Sequence, residues 1–143
     1  MARTLATYIS LPGTTAEAMQ HWQEVFGGEL NIMTYDDVTL EAMPFDPPAG
    51  AVAHAWLQFP GGLIAGSDVI DGKSYPVRDT AYSMLLSTDT AQESRDYIGK
   101  LIEGGGSEAM PFEKAPWGGW YGQVFDRFGV MWSFSSDEDS SPQ

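Results

Sequence analysis

The sequence predicts an α+β fold built from two copies of a strand–helix–strand–strand–strand module, βαβββ. Three observations lead there. Two Thr-x-x-Glu helix starts, at Thr14 and Thr90, each follow a β-type apolar run and precede an amphipathic stretch. Each half then returns to strands that close on a glycine-bearing turn, Pro60-Gly61-Gly62 in the first and Asp126-Arg127-Phe128-Gly129 in the second. The spacing also repeats. Thr14 and Thr90 stand 76 positions apart (90 − 14), as do strand residues Thr7 and Ser83 (83 − 7). The hairpin glycines Gly62 and Gly129 stand 67 apart (129 − 62), because the loop of the first half is longer. An internal duplication accounts for this better than two unrelated halves.

Thr4 to Leu11 alternates and is rich in β-formers, which predicts a first strand that Pro12-Gly13 ends. Thr14 and Glu17 form a capping box; Ala18, Met19, Trp22, Val25 and Phe26 then share one helical face until Gly27-Gly28. Glu29 to Tyr35 reads as a strand, and the proline-bearing stretch Asp36 to Gly50 as a loop. Ala51–Phe59 and Leu63–Ser67 make a hairpin, followed by a polar connection from Asp68 to Asp79. Ala81–Ser87 opens the second half, Thr90 and Glu93 cap its helix, and Tyr97, Ile98, Leu101 and Ile102 form its apolar stripe. Gly104-Gly105-Gly106 ends that helix, and Glu108–Phe112 is a short strand. The closing hairpin carries Trp120, Phe125, Phe128, Trp132 and Phe134 and is expected to anchor the core. One helix and one small sheet bury too little alone, so a single domain is expected over residues 1–136. Its modules fall at about 4–68 and 81–136, with an acidic flexible tail at 137–143.

Composition excludes several function classes. The 143 residues are 43% hydrophobic, as in a globular protein. No apolar run approaches the roughly 18 residues of a membrane span, and Met1-Ala2-Arg3-Thr4 lacks a signal-peptide core, so a cytoplasmic protein with no membrane partner is expected. The absence of cysteine removes disulfides, thiolate nucleophiles and Cys-type zinc sites. Seven Lys and Arg against 20 Asp and Glu give a net charge of −13, which repels phosphate backbones, so nucleic-acid binding is not expected. Gly105-Gly106-Ser107-Glu108-Ala109 imitates a nucleophile elbow, but it runs from helix into strand and reads as a helix stop. Asp36, Asp37, Glu41, Asp68 and Asp71 read as solvated loop acids.

Beside these patterns stands a resemblance. Tyr8-Ile9-Ser10-Leu11, Ala16-Glu17-Ala18 and Glu24-Val25-Phe26-Gly27-Gly28-Glu29 match the opening of PhnB-like proteins of the vicinal oxygen chelate superfamily. His54-Ala55-Trp56-Leu57, Gly61-Gly62 and Ser67-Asp68 resemble that group's middle hairpin. Trp117-Gly118, Tyr121-Gly122 and Asp126-Arg127-Phe128-Gly129-Val130-Met131-Trp132 resemble its last, with Arg127 where a proline or lysine is common. The resemblance implies two modules curving a sheet around a central cavity, commonly in a homodimer. Metal-dependent members place a His, Glu or Gln on each of four cavity strands. Carried over by position, those places are Thr7, Gly66 (within one residue), Ser83 and Ser133, and none holds an imidazole or carboxylate. Hydroxyls and a glycine do not hold Fe, Ni or Zn, so no metal or other cofactor is expected.

His21 reads as a helix residue, solvated or partly packed. His54 should share a strand face with Trp56 and is either a packed core histidine or a donor, acceptor or weak candidate general base at the cavity mouth. Trp117 and Trp120 are candidate cavity walls beside Gly118-Gly119, and Thr7, Ser83 and Ser133 offer hydrogen bonds. The resulting expectation is a metal-free PhnB-like protein that binds a small organic molecule, flat and partly apolar. The alternatives are a metal-dependent or His-assisted enzyme (lyase, dioxygenase or resistance type), and a dimeric interaction module whose cavity has closed.

Overall fold

The computed structural model describes residues 3–37, 47–70 and 75–138. The chain divides into two compact units, Met1–Tyr75 and Pro76–Gln143. The first runs β1 (Thr7–Leu11), α1 (Thr15–Phe26), β2 (Glu29–Thr34), β3 (Val52–Phe59) and β4 (Gly62–Asp68). Its sheet has the order β1-β4-β3-β2, with β1 parallel to β4 and the other neighbours antiparallel. The second runs β5 (Met84–Thr88), α2 (Ala91–Glu103), β6 (Ser107–Lys114), β7 (Trp120–Phe125) and β8 (Met131–Ser136). Its sheet, β5-β8-β7-β6, has the same pattern. Both units are therefore βαβββ, as the repeat predicts. Part of the expected Asp36–Gly50 loop, part of the Asp68–Asp79 connection and the last five residues of the tail lie outside the described residues.

Each sheet carries its helix on one face. α1 buries the expected stripe, Ala18, Met19, Trp22, Val25 and Phe26, on the side where Ala55, Leu57 and Ile64 are buried; Phe26 stacks on Phe59 at 5.3 Å. In the second unit Trp132 and Phe134 are fully buried, Tyr97 of α2 stacks on Phe134 at 6.2 Å, and Leu101 is buried. Ile102, placed in the stripe by its spacing, is 39% exposed. Gly122 has to be glycine because the Cα of Phe112 lies 2.6 Å from where a Cβ would stand. That close approach lets Phe112 stack on Trp120, with the Arg95 guanidinium 4.6 Å from the Trp120 ring.

The helix starts differ from the capping-box expectation. Thr90 behaves as expected and accepts from the Glu93 amide at 3.1 Å. Thr14 makes no side-chain cap; the α1 start is held by Asp68, whose Oδ1 accepts from Thr15 N at 3.0 Å and whose Oδ2 accepts from Val52 N at 2.9 Å. Asp68 is thus a buried carboxylate at the positive end of a helix, not a solvated loop acid. The loop acids Asp36 and Asp37 are engaged as well. Asp36 accepts from Gly50 N, while the Thr34 amide and hydroxyl both donate to Asp37 and hold its carboxyl below the usual carboxylate value. Glu41 and Asp71 lie outside the described residues.

Strand pairing also corrects the repeat register. Leu11 pairs with Asp68 and Thr88 with Ser136, so the strand equivalences are 77 (88 − 11) and 68 (136 − 68). The helices keep the expected 76: Thr15 and Ala91 are their first residues, and buried Ala18 answers buried Ser94. The strand-to-helix link is one residue shorter in the second unit, which a count anchored on the capping threonines could not register.

Candidate ligand-binding faces

Because strand side chains alternate, the face of each sheet opposite its helix is fixed by register. In the first unit Gly66 belongs to the helix side, since a Cβ there would lie 3.4 Å from the Met19 methyl. Its β1 partner Ile9, and hence Thr7 two residues earlier, share that side. Thr7 and Gly66 therefore do not face the open side, whereas Tyr8 does, as do Ala65 and Ser67, each within the one-residue margin of Gly66. The misplacement follows directly from the one-residue slip in register. In the second unit Ser83 and Ser133 do come together, their hydroxyls 3.1 Å apart on the open side.

The open face of the first sheet carries a row of rings. Tyr8 reaches over the small β4 residues Ala65 and Ser67 to stack on His54 at 5.8 Å, and His54 lies 5.3 Å from Trp56. Met33, opposite His54 in the ladder, extends the row onto β2. Tyr8 is 53% and Met33 40% exposed, and His54 is exposed as well. His54 is thus an open-face residue sharing its side with Trp56, not a packed core histidine. His21 is buried on α1, away from this face. Sequence reasoning missed Tyr8; the small residues at 65 and 67 were the available signal, because they clear a path for a ring to cross the strand between.

Of the proposed wall residues, only Trp117 stands free, 77% exposed and 6.4 Å from Tyr121. Trp120 faces α2, clamped between Phe112 and Arg95, because it pairs with Ser136 on the helix side. Glu138 is docked, with its Oε2 accepting from Ala91 N at 2.7 Å.

The four positions carried over from metal-dependent relatives hold one threonine, one glycine and two serines. Among the described residues no group of three His, Cys, Asp or Glu is placed to hold an ion. The open faces offer one imidazole beside rings, and hydroxyls elsewhere, a poor donor set for Fe, Ni or Zn. A hollow of about 160 Å³ is lined by Gly13, Gly50, Asp68 and Val69. It is roughly half the smallest ordinary ligand pocket, and both Asp68 oxygens facing it are already bonded to backbone amides.

A duplicated βαβββ chain, with each four-stranded sheet backed by one helix, defines a class. The chain belongs to the Glyoxalase/Bleomycin resistance protein/Dioxygenase superfamily, whose model matches residues 7–134. Protein YjdN of Escherichia coli (strain K12) is 27% identical over 140 residues, spanning 90% of this chain and 91% of its own length. The solved structure of protein PA1353 from Pseudomonas aeruginosa is 26% identical with a TM-score of 0.78, covering 95% of this chain and 98% of that one. The PhnB protein from Bacillus cereus is 23% identical with a TM-score of 0.73, covering 94% and 99%. No helix among the described residues is long and apolar enough to cross a membrane.

Proposed function

We propose that this PhnB-like chain binds a small, flat, partly apolar organic molecule on the open sheet faces, the surfaces that the family resemblance assigns to a cavity. The carrying observation is the open-face row Tyr8–His54–Trp56, with Tyr8 and His54 exposed and Trp56 half-buried, three rings at stacking distance with an apolar Met33 beside them. Rings left in water gain most from a planar partner that covers their faces. The imidazole adds one directional hydrogen bond. Arg3 is the only Lys or Arg among the first unit's described residues, so a neutral or cationic molecule suits the surface better than an anion. A homodimer in the cytoplasm is the assembly proposed with it; Leu5 at 97% and Tyr82 at 88% exposure are the kind of apolar surface a second copy covers.

The test is a fluorescence and thermal-shift screen of neutral and cationic planar heteroaromatics on the wild type and on Tyr8→Ala. Compounds that stabilise the wild type should lose about tenfold in affinity on the variant, one stacking contact's worth. Hits whose affinity Tyr8→Ala leaves unchanged would overturn the ring-row reading. A second reading, a His-assisted enzyme, is favoured by the exposure of His54. It requires turnover of a bound compound that His54→Ala abolishes without weakening binding.

A further inference from the structure

The open face of the second sheet has a different chemistry from the first. On β8, on β5 and just before it, four serines form two hydroxyl pairs, Ser83 with Ser133 at 3.1 Å and Ser87 with Ser135 at 2.9 Å. Next to them on β7, Gln123 donates an amide hydrogen to the Tyr121 hydroxyl at 2.9 Å. Register places these groups on one side: Gln123 pairs with Ser133, and Tyr121 with Ser135. In each serine pair one hydroxyl spends its hydrogen on the other; Ser133 is buried at 2% exposure, so the hydroxyls open to a ligand are those of Ser83, Ser87 and, half-buried, Ser135. Gln123 keeps a second N–H and a carbonyl oxygen. Ser133 and Ser135 lie about 7 Å apart along β8, two residues' rise, while Ser83 and Ser87 are four residues apart, with Leu85, 64% exposed and opposite Ser133 in the ladder, between them on the same face.

Charge is absent from the three strands that carry this array. It enters only at the borders, where Glu113 sits beside Tyr121 on the edge strand and Arg78 lies over the Phe125 ring at 4.0 Å. At the end nearest Tyr121 stands Trp117, 77% exposed, on a loop whose Gly118 and Gly119 both have positive φ. A neutral lattice of donors and acceptors with a free indole at its edge suits one ligand chemistry closely. An uncharged ring with hydroxyls around its rim satisfies the serines and the amide, and its apolar C–H face covers an aromatic ring.

We infer that the open face of the second sheet is a binding site for a neutral, hydroxyl-rich ring, a pyranose sugar or a sugar-like portion of a larger molecule. An anion gains nothing here, since no cation lies within the array. A purely apolar molecule would cut the remaining donors and acceptors of Ser87, Ser135 and Gln123 off from water. The inference goes beyond the ring row of the first unit and stands separately from it.

The experiment is a titration of the 15N-labelled full chain with methyl β-D-glucopyranoside, methyl β-D-galactopyranoside and myo-inositol, up to about 100 mM, which reaches millimolar affinities. The expected result is saturable shifts of the Trp117 indole N–H and the Gln123 side-chain amide with at least one probe. Trp117→Ala should weaken that binding about tenfold and Trp117→Phe should restore most of it. Ser87→Ala, which removes one exposed hydroxyl, should weaken it about fivefold. Both variants lie at exposed positions, so retention of the wild-type spectrum elsewhere confirms the fold. Absence of saturable shifts with all three probes, or binding that Trp117→Ala leaves unchanged, overturns the inference. Shifts confined to Tyr8, His54 and Trp56 also overturn it, while leaving the ring-row reading intact.

Discussion

Replacing Asp68 tests the device that joins helix, hairpin and open face in the first unit. Its two oxygens accept from Thr15 N at 3.0 Å and Val52 N at 2.9 Å, and Thr15 and Val52 are each 1% exposed. Alanine would therefore leave two amides buried and unpaired. A hydrogen bond to a charged group contributes about 1.5–3 kcal/mol, and the carboxylate at a helix N-terminus adds about 0.5 kcal/mol. Some relaxation and water entry offset the sum, so Asp68→Ala should destabilise by about 3–5 kcal/mol. Asp68→Asn keeps one acceptor but turns an N–H toward one of the two amide donors, at about 2–3 kcal/mol. Urea unfolding followed by far-UV circular dichroism measures this, the midpoint falling in the order wild type, Asn, Ala at constant slope. A loss below about 1 kcal/mol for alanine would refute the claim that this carboxylate holds the helix start.

Two further outcomes are expected. Asp126 accepts from Phe128 N, Val130 N and the Trp132 indole at 2.9–3.0 Å and is 2% exposed, so Asp126→Ala should cost about 3–5 kcal/mol and shift the tryptophan emission maximum, because Trp132 loses its partner. Tyr97 has its hydroxyl pKa raised, first by burial and then by the charge and hydrogen bond of Glu93. The folded state favours the neutral phenol, so this stability is fully present below the ordinary tyrosine value and is lost as pH rises through it. Midpoints taken between about pH 9 and 11 should fall more steeply for the wild type than for Tyr97→Phe, and parallel curves would refute the assignment.

Much of the fold was legible in the sequence because the repeat is written in two independent alphabets. Helix stripes announce themselves by apolar spacing, and Ala18, Met19, Trp22, Val25 and Phe26 are all buried where the spacing puts them. Turns announce themselves by glycine, and Gly129 has the positive φ its turn requires. Strand register is written in neither. A count from Thr14 to Thr90 spans a link that lost one residue, and in a strand a slip of one moves a side chain to the other face. That is why the count puts Thr7 on the open side and passes over Tyr8; the hairpin glycines mislead by one residue too, since the strand equivalence of 68 matches Gly129 with Gly61 (129 − 61) and not Gly62. Trp120 went astray for a related reason, since glycines beside an indole suit a cavity wall and a close-packed helix face equally well. Caps drawn from distant strands, such as Asp68, leave no local signal at all.

The two units show which parts of a duplicated module are constrained and which are free. Each helix start needs an acceptor for its leading amide, and in the first unit the last residue of β4, Asp68, provides it. Its equivalent on β8 is Ser136, whose side chain is too short to take the same role. The requirement is met from two residues further on: Ser136 accepts from Glu138 N, and the Glu138 carboxylate then accepts from Ala91 N. A buried helix end without a partner is too costly to leave, so the chain found a second route to the same bond. No such demand acts on the open faces, where one sheet presents rings and the other hydroxyls. There the two units differ, with Tyr8, His54 and Trp56 on one sheet and Ser83, Ser133 and Gln123 on the other.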